Sequence, residues 1–472
     1  MNIMIKALFD QGSSSAAEAF GLPDITTAAM QSAIKEWFNL FFMREATEAE
    51  DPSLRLPYAI TNKLTKATFA EYDSQIAAQK KAPSAKSQWL NDARRQMDRK
   101  KQELLQWACV GGECFIKPVP QGTGFVYQIV RRDRYVVLGR NSDGEVTDVG
   151  MAAYTSAAGR YYTLLERRTV DSGGYLTIRY QLFSSPTAST LGRPVPLDTL
   201  PQYADLLPEY TYQQPFDGLG MVHVRLPMIN SVDGSADGVS IYEPAVQAIH
   251  NAYRNERQLC DEYELGRARI MVSSDMLYSI PGADGTMRKE IKDKVFVGLD
   301  GSSNIPVSIF APPLRDESYE RRKQGYLKTC ENLIGLKRGI LSDVEAAERT
   351  AKEITSSEGD YNLSIIDLQR MYYDALKETL RVTDLWGQAL QLCDSSYFDL
   401  DKELTVSWGN GILYDPDGEW DNMLKMTQYG LLKPEIAIAW KYDLPWDTPA
   451  DIEAIRTKYM PELQSLIAGN DL

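Results

Sequence analysis

Two histidines, His223 and His250, stand 27 positions apart, and the five cysteines are Cys109, Cys114, Cys260, Cys330 and Cys393. Zinc sites, Ser-His-Asp triads and Cys-His pairs all draw on these residue types, and so few of them leave little room for any of the three. Cys109-Val-Gly-Gly-Glu-Cys114 has the spacing of half a zinc site, but no second Cys or His pair follows at a workable distance, so two packed thiols at a helix-to-strand turn are expected. The best cation candidate is Asp233-Gly-Ser-Ala-Asp-Gly238, where Asp233 and Asp237 would supply oxygens and Gly238 the turn of a calcium loop. The closing glutamate fails, because Glu243 falls at position 11 and Pro244 at position 12. A Gly/Asp turn ahead of a helix is the stronger reading, with Asp233 and Asp237 kept only as weak metal candidates. Gly122-Thr-Gly124 and Gly218-Leu-Gly220 each lack the third glycine of a dinucleotide loop, and no GxxxxGK followed by Ser or Thr occurs. No cofactor is implied, and His250 reads as a helix-surface or interface residue rather than a catalyst.

The elements that would hold such residues belong to a large folded chain. Its 472 residues are 43% hydrophobic and 25% charged, enough for about three domains or one elongated subunit. The formal net charge of −14 opposes general condensation on nucleic acid, so contact with DNA would have to be local. An odd cysteine count argues for reducing synthesis. The first residues lack a secretory pattern, and Ile34 to Met43 is too short to span a bilayer, so a soluble, cytoplasmic site of synthesis is expected.

Apolar residues recur at helical spacing through the first hundred positions, as Met30-Ile34-Trp37-Phe41, Leu56-Ile60-Leu64-Ala67, and Trp89 through Ala108. After Gly111-Gly112 the pattern turns to short β-branched and aromatic runs between 114 and 183, which read as an antiparallel meander. Residues 184–220 read as irregular, and Met221 to Leu226 as a short strand. One helix with a thin, partly polar stripe is predicted from Ile241 to Gly266. Strand candidates follow at Arg269 to Val272, Lys294 to Val297 and Val307 to Phe310. A charged helix from Asp316 to Leu333, a glycine-bearing loop to Ser342, and a very long helix from Val344 to Leu392 with Gly359 as a possible kink come next. A strand from Glu403 to Trp408 and three short helices complete the pattern. Residues 268–312 are charge-balanced, whereas residues 394–472 carry a net −9.

This order resembles the portal proteins of tailed double-stranded-DNA bacteriophages. Tyr161-Tyr-Thr-Leu-Leu-Glu166 and Leu191-Gly-Arg-Pro-Val-Pro-Leu197 look like the family's wing strands. Gly238-Val-Ser-Ile-Tyr242, the helix with Asp261 and Glu264, and Gly266-Arg-Ala-Arg-Ile-Met-Val272 look like its passage into stem and clip. Arg349-Thr-Ala-Lys-Glu-Ile354 stands where relatives often have Thr-Ala-Thr-Glu, from which Lys352 departs, and Asp415 with Gln428-Tyr-Gly-Leu-Leu432 resembles the approach to a crown.

The resemblance implies an α+β portal fold. Its parts would be an N-terminal wing (1–240), a stem helix (241–267), a small β-rich clip (268–312), a second stem helix (313–334), a tunnel loop (335–350), a long helix with a wing strand (351–415) and a short helical crown (416–472). It implies a non-enzymatic homo-oligomeric ring, generally of twelve subunits, at the capsid portal vertex of the virion, assembled in the host cytoplasm. Double-stranded DNA would pass through it, and terminase large subunit, head-to-tail adaptor, capsid and scaffold proteins would be its partners, with no membrane. By position, Lys337, Arg338 and Glu345 would be the DNA-proximal loop residues, and Arg269, Arg288, Lys289, Lys292 and Lys294 would lie on the docking surface of the clip. Another connector or minor capsid protein, or an acidic metal-dependent enzyme using Asp233 and Asp237, are the alternatives.

Overall fold

The computed structural model describes residues 19–44, 47–77, 82–188, 190–216, 218–265, 269–271, 277–281, 287–291, 308–310, 313–343, 351–408, 416–442, 444 and 449–460. Thr27 caps the first helix, α1 (Ala28–Phe42), by accepting the Met30 N–H, and Met43 closes it in the left-handed conformation. Helices α2 (Leu56–Thr68), α3 (Ala85–Asp98) and α4 (Lys101–Gly111) follow. The stripe from Trp89 to Ala108 is therefore carried by two helices rather than one, broken at Arg99-Lys100. Between α2 and α3 lies strand β1 (Asp73–Ile76), which the sequence pattern did not announce.

Helix α4 runs into β2 (Glu113–Gln121) through Gly112, whose φ of +78° is left-handed. Strand β2 pairs with β3 (Gly124–Arg131), and its partner on the other edge is β10 (Val222–Arg225). The expected meander is thus divided, because these strands form a sheet of their own. The second sheet runs β4 (Tyr135–Arg140), β5 (Val146–Ala157), β6 (Arg160–Val170), β7 (Tyr175–Ser185) and β8 (Arg193–Val195), with β9 (Glu209–Pro215) also on β7, all antiparallel. Strands β8 and β9 lie inside the stretch expected to be irregular. Phe115, Val130, Tyr135, Val137, Val149 and Met151 pack between the two sheets.

Helix α5 (Val246–Leu265) is preceded by a 3-10 turn at Glu243–Ala245. Its first half is no thin outer stripe, since Ala248, Ile249, Ala252 and Tyr253 are all buried in the main core. Four short strands come next: β11 (Arg269–Met271), β12 (Leu277–Pro281), β13 (Met287–Ile291) and β14 (Ser308–Phe310). Strands β11 and β14 form one antiparallel ladder, β12 and β13 another. The β12–β13 ladder lies where the sequence pattern marks no strand, and the strand expected at Lys294 to Val297 lies outside the described residues. Helix α6 (Asp316–Ile334) and the 39-residue α7 (Ala351–Ala389) complete the main framework. At 1.5 Å per residue α7 is about 58 Å long, and Gly359 does not interrupt it. A single turn, α8 (Leu400–Glu403), leads into β15 (Leu404–Ser407), which pairs with β1.

The main core joins α1 to α7 with the β2–β3–β10 sheet, around Trp37, Ile60, Leu90, Leu104, Tyr253 and Tyr372. Each large apolar side chain buried there contributes about 2 kcal/mol. Tyr372 of α7 is held edge-on by Phe69 at 4.8 Å and Tyr72 at 5.5 Å, which pins the long helix to the N-terminal helices.

The chain divides into two units, Met1–Trp408 and Gly409–Leu472. The second holds α9 (Pro416–Gln428), α10 (Pro434–Lys441) and α11 (Pro449–Tyr459). Arg456 of α11 grips Glu435 of α10 at 2.7 Å, and the Tyr442 and Tyr459 rings stack at 5.5 Å. Among the described residues no helix is long and apolar enough to cross a membrane.

Candidate functional site

Helices α5 and α6 are antiparallel, since Glu262 near the end of α5 pairs with Arg315 at the start of α6 at 2.6 Å, while Asn255 and Glu256, earlier in α5, meet the Tyr319 carbonyl at 3.0 Å and Lys323 at 3.7 Å, further along α6. The small strands β11 to β14 leave from one end of this pair. The loop carrying Lys337 and Arg338 leaves from the other.

Gly335 ends α6 with φ +76°, a left-handed turn that favours glycine, and a side chain there would meet Ser364 Oγ of α7 at 2.7 Å. The loop then folds over the end of α6. Leu336 is buried beneath it, Lys337 is half-buried and Arg338 is exposed. Arg338 forms no ion pair with a described residue. The fold rests on the Glu331 carboxylate, which is fully buried and accepts the backbone N–H groups of Gly339 (3.1 Å), Leu341 (2.6 Å) and Ser342 (2.9 Å) on one oxygen and the Ser342 hydroxyl (2.7 Å) on the other. Gln324 adds a two-way bond to Asp343, at 2.8 and 3.0 Å. Nothing in the spacing of residues 331 to 342 signals this arrangement. Glu345 lies outside the described residues.

The other candidate cations separate. Arg269 pairs in register with Phe310, while Arg288 and Lys289 face Ile280 and Ser279 across the second ladder. Lys292 and Lys294 lie outside the described residues.

Asp233 and Asp237 are committed to structure. Asp233 accepts from the Thr27 hydroxyl, from Asn230 at 2.8 Å and from the Ser235 N–H at 2.9 Å, tying its loop to the start of α1. Asp237, buried, pairs with Arg140 at 2.7 Å and lies 3.4 Å from Arg132. Gly238 serves close approach: a side chain on it would meet the Gly112 carbonyl oxygen at 2.6 Å. Among the described residues no group of three or more His, Cys, Asp or Glu could hold a metal ion.

Sequence reasoning missed a buried ionic centre. Glu113 and Arg132 are both fully buried, 2.9 Å apart, with Tyr135 Oη donating to Glu113 at 3.0 Å, the Gly238 N–H at 3.0 Å and His223 Nε2 at 3.1 Å. Burial by itself would push this carboxyl up, but His223 beside it, with Arg132 and Arg140, holds it well below the usual carboxylate range. A second centre joins the sheets, where Glu166 takes Lys117 and Arg168. Burial again opposes ionisation there, and the two cations win, holding Glu166 down to about 2. Charged residues read as surface in a sequence, and no spacing marks these as interior.

His250 sits between two carboxylates, with Nδ1 3.1 Å from Glu50 and Nε2 2.9 Å from Glu36. A neutral imidazole has one N–H, so this geometry calls for the imidazolium. Its pKa is raised, first by the Glu36 hydrogen bond, against burial, with Glu50 adding to it. Cys109 and Cys114 are buried, free thiols, Cys109 pushed up to about 12 by burial.

No family profile matches the chain, and no curated protein does. Among solved structures the chain is similar to one from the neck of an empty GTA particle computed with C6 symmetry, at 12% identity and a TM-score of 0.46, over 92% of this chain and 99% of that one. It is also similar to one from the neck of a native GTA particle computed with C12 symmetry, at 11% identity and a TM-score of 0.40, over 90% and 95% respectively.

Proposed function

We propose that this chain is a portal subunit, one copy of a ring of about twelve through which double-stranded DNA is packaged and released. One observation carries the reading: an antiparallel helix pair, α5 and α6, bears small β ladders at one end and a cation-bearing loop at the other, and beyond that loop stands a helix about 58 Å long. Around an axis such a pair makes a heterologous, closing interface. A chain of net charge −14 keeps the phosphate-binding term small, so that DNA slides, and leaves contact to Lys337 and Arg338. The β ladders with Arg269, Arg288 and Lys289 would receive the packaging motor's large subunit and later the head-to-tail adaptor.

Native mass measurement with negative-stain imaging of the purified protein tests the ring. Closed rings of about a dozen subunits with a central hole are expected, and monomer at every salt concentration counts against it. Charge reversal at both Lys337 and Arg338 is expected to alter packaging or genome retention, and unchanged behaviour in both assays removes the loop from the DNA path. In duplex binding, neutralising both is expected to lower the salt slope by about 1.8, that is 0.9 per phosphate contact.

A further inference from the structure

A cleft of about 570 Å³ opens where α4 and the β2–β3 sheet meet strands β5 and β6. Trp107, Leu164, Tyr154, Arg131 and Arg134 line it, with the Lys117–Glu166 pair. The turn from Arg131 to Arg134 supplies three guanidinium groups and one carboxylate. Arg132 points inward to Glu113. Arg131 takes both oxygens of Asp133, at 2.9 and 2.8 Å, and lies 4.6 Å above the Trp107 ring. Arg134 is left with Asp133 at 3.9 Å, beyond hydrogen-bond reach, although its side chain is only 32% exposed. Among the described residues it makes no hydrogen bond. The Tyr154 hydroxyl, also on the cleft, makes none either.

A half-buried guanidinium beside another, with its one carboxylate neighbour at 3.9 Å, leaves its N–H donors to water, which an oxyanion can replace. Burial first, and then Arg131, disfavour its charged form. Burial pushes the Tyr154 phenol up to about 12, so it stays a donor at neutral pH. We propose that this cleft binds an oxyanion, a carboxylate or a phosphate group, on the Arg134 guanidinium and the Tyr154 hydroxyl. The cleft is larger than one such group, and its Trp107 and Leu164 walls suit an apolar neighbour of the anion. The ligand is either a free ion or an acidic side chain of a second copy of this chain, and neither possibility depends on the portal reading.

Thermal unfolding of the full chain in potassium phosphate, against potassium chloride at matched ionic strength, tests it. The wild type is expected to show a rise of about 2 °C at ten times the dissociation constant, which goes on growing with the logarithm of phosphate concentration. Arg134→Gln is expected to abolish the rise while leaving the chloride midpoint unchanged or higher, because no bond is lost. Tyr154→Phe, which leaves the guanidinium in place, is expected to weaken phosphate binding several-fold. Sedimentation at matched ionic strength separates the sources: a second copy's side chain predicts that Arg134→Gln weakens self-association and that phosphate competes with it, whereas a free ion predicts no change. Phosphate that raises the midpoint of Arg134→Gln as much as that of the wild type overturns the proposal. So does a wild type with neither a phosphate response nor an Arg134-dependent association.

Discussion

Replacing Glu331 by Gln should free the loop that carries Lys337 and Arg338 without unfolding the protein. The carboxylate is fully buried, meets no cation among the described residues, and is held by three backbone N–H groups and one hydroxyl between 2.6 and 3.1 Å. Glutamine has the same shape, so no cavity forms, and its carbonyl still faces the three N–H groups. The charge is lost, and charge-assisted bonds contribute roughly twice what neutral ones do, about 1.5–3 against about 1 kcal/mol. Over four bonds that difference exceeds 2 kcal/mol, less whatever the loop recovers from water, so a net loss of about 2–3 kcal/mol is expected. Since 1.4 kcal/mol is a factor of ten, the amides of Gly339, Leu341 and Ser342 should exchange hydrogen about 30–150 times faster. Exchange mass spectrometry on peptides spanning 335–343 reads this directly, with the β5–β6 ladder as an internal control that should not move. Equal exchange in the variant and the wild type would refute the reasoning, as would wild-type amides that exchange at free-peptide rates.

Gly112→Ala puts a side chain 2.4 Å from the Gly238 and Val239 backbones at φ +78°, so a loss above about 3 kcal/mol is expected by urea denaturation. Gly122→Ala is the control: at φ +61° but with nothing within 4 Å, it should cost only about 1 kcal/mol. Glu113→Ala takes from buried Arg132 its nearest carboxylate, leaving Asp237 at 3.4 Å, and should cost about 3 kcal/mol in the same assay. In the wild type the Glu113 carboxyl has a depressed folded pKa, so its contribution is fully present above about pH 4.3 and declines as pH falls from there toward that lower value. His250 has a raised folded pKa, so its contribution is complete below about pH 6.5 and is lost as pH rises through that higher value. An imidazole NMR titration should place His250 above 6.5, and Glu36→Gln should bring it back down.

The helices and the order of elements were legible because periodicity reports burial of apolar faces, and α1, α2, α6 and the long α7 each bury such a face. What escaped was anything fixed by pairing between distant segments. Strand β1 is four residues long with alternating exposure, and only its partner β15, more than 300 positions on, makes it a strand. Strand β9 is almost wholly exposed and owes its conformation to β7. Lys337 and Arg338 stand out only through the place of their loop in the family resemblance, and Glu331, which shapes that loop, looks in the sequence like one more acid on a charged helix. Asp237 drew notice as a cation ligand because its spacing to Asp233 is local. Its real partners, Arg140 and Arg132, are about a hundred positions away.

The buried ions explain why the pairing is unique where apolar patterning alone would leave choices. Glu113 on β2 meets Arg132 after β3, His223 on β10 and the N–H of Gly238, so four segments converge on one carboxylate. Arg168 reaches from Glu166 on the outer sheet to the carbonyls of Leu219 and Gly220, and Trp386 of α7 donates to that same Gly220 carbonyl. Lys86 of α3 is buried against Asp384 of α7 at 2.9 Å and against the Asp394 and Ser396 carbonyls. Such groups contribute little net stability over apolar residues of equal volume, because desolvation offsets attraction. Their effect is on the alternatives. A slip of β6 by one residue would turn Glu166 and Arg168 to the opposite face and strand Lys117, whereas many of the apolar contacts between the sheets would tolerate it. The centres therefore act at the joints, where sheet meets sheet and α3 meets α7. Each raises the free energy of misregistered states by several kcal/mol while leaving the native state only marginally changed.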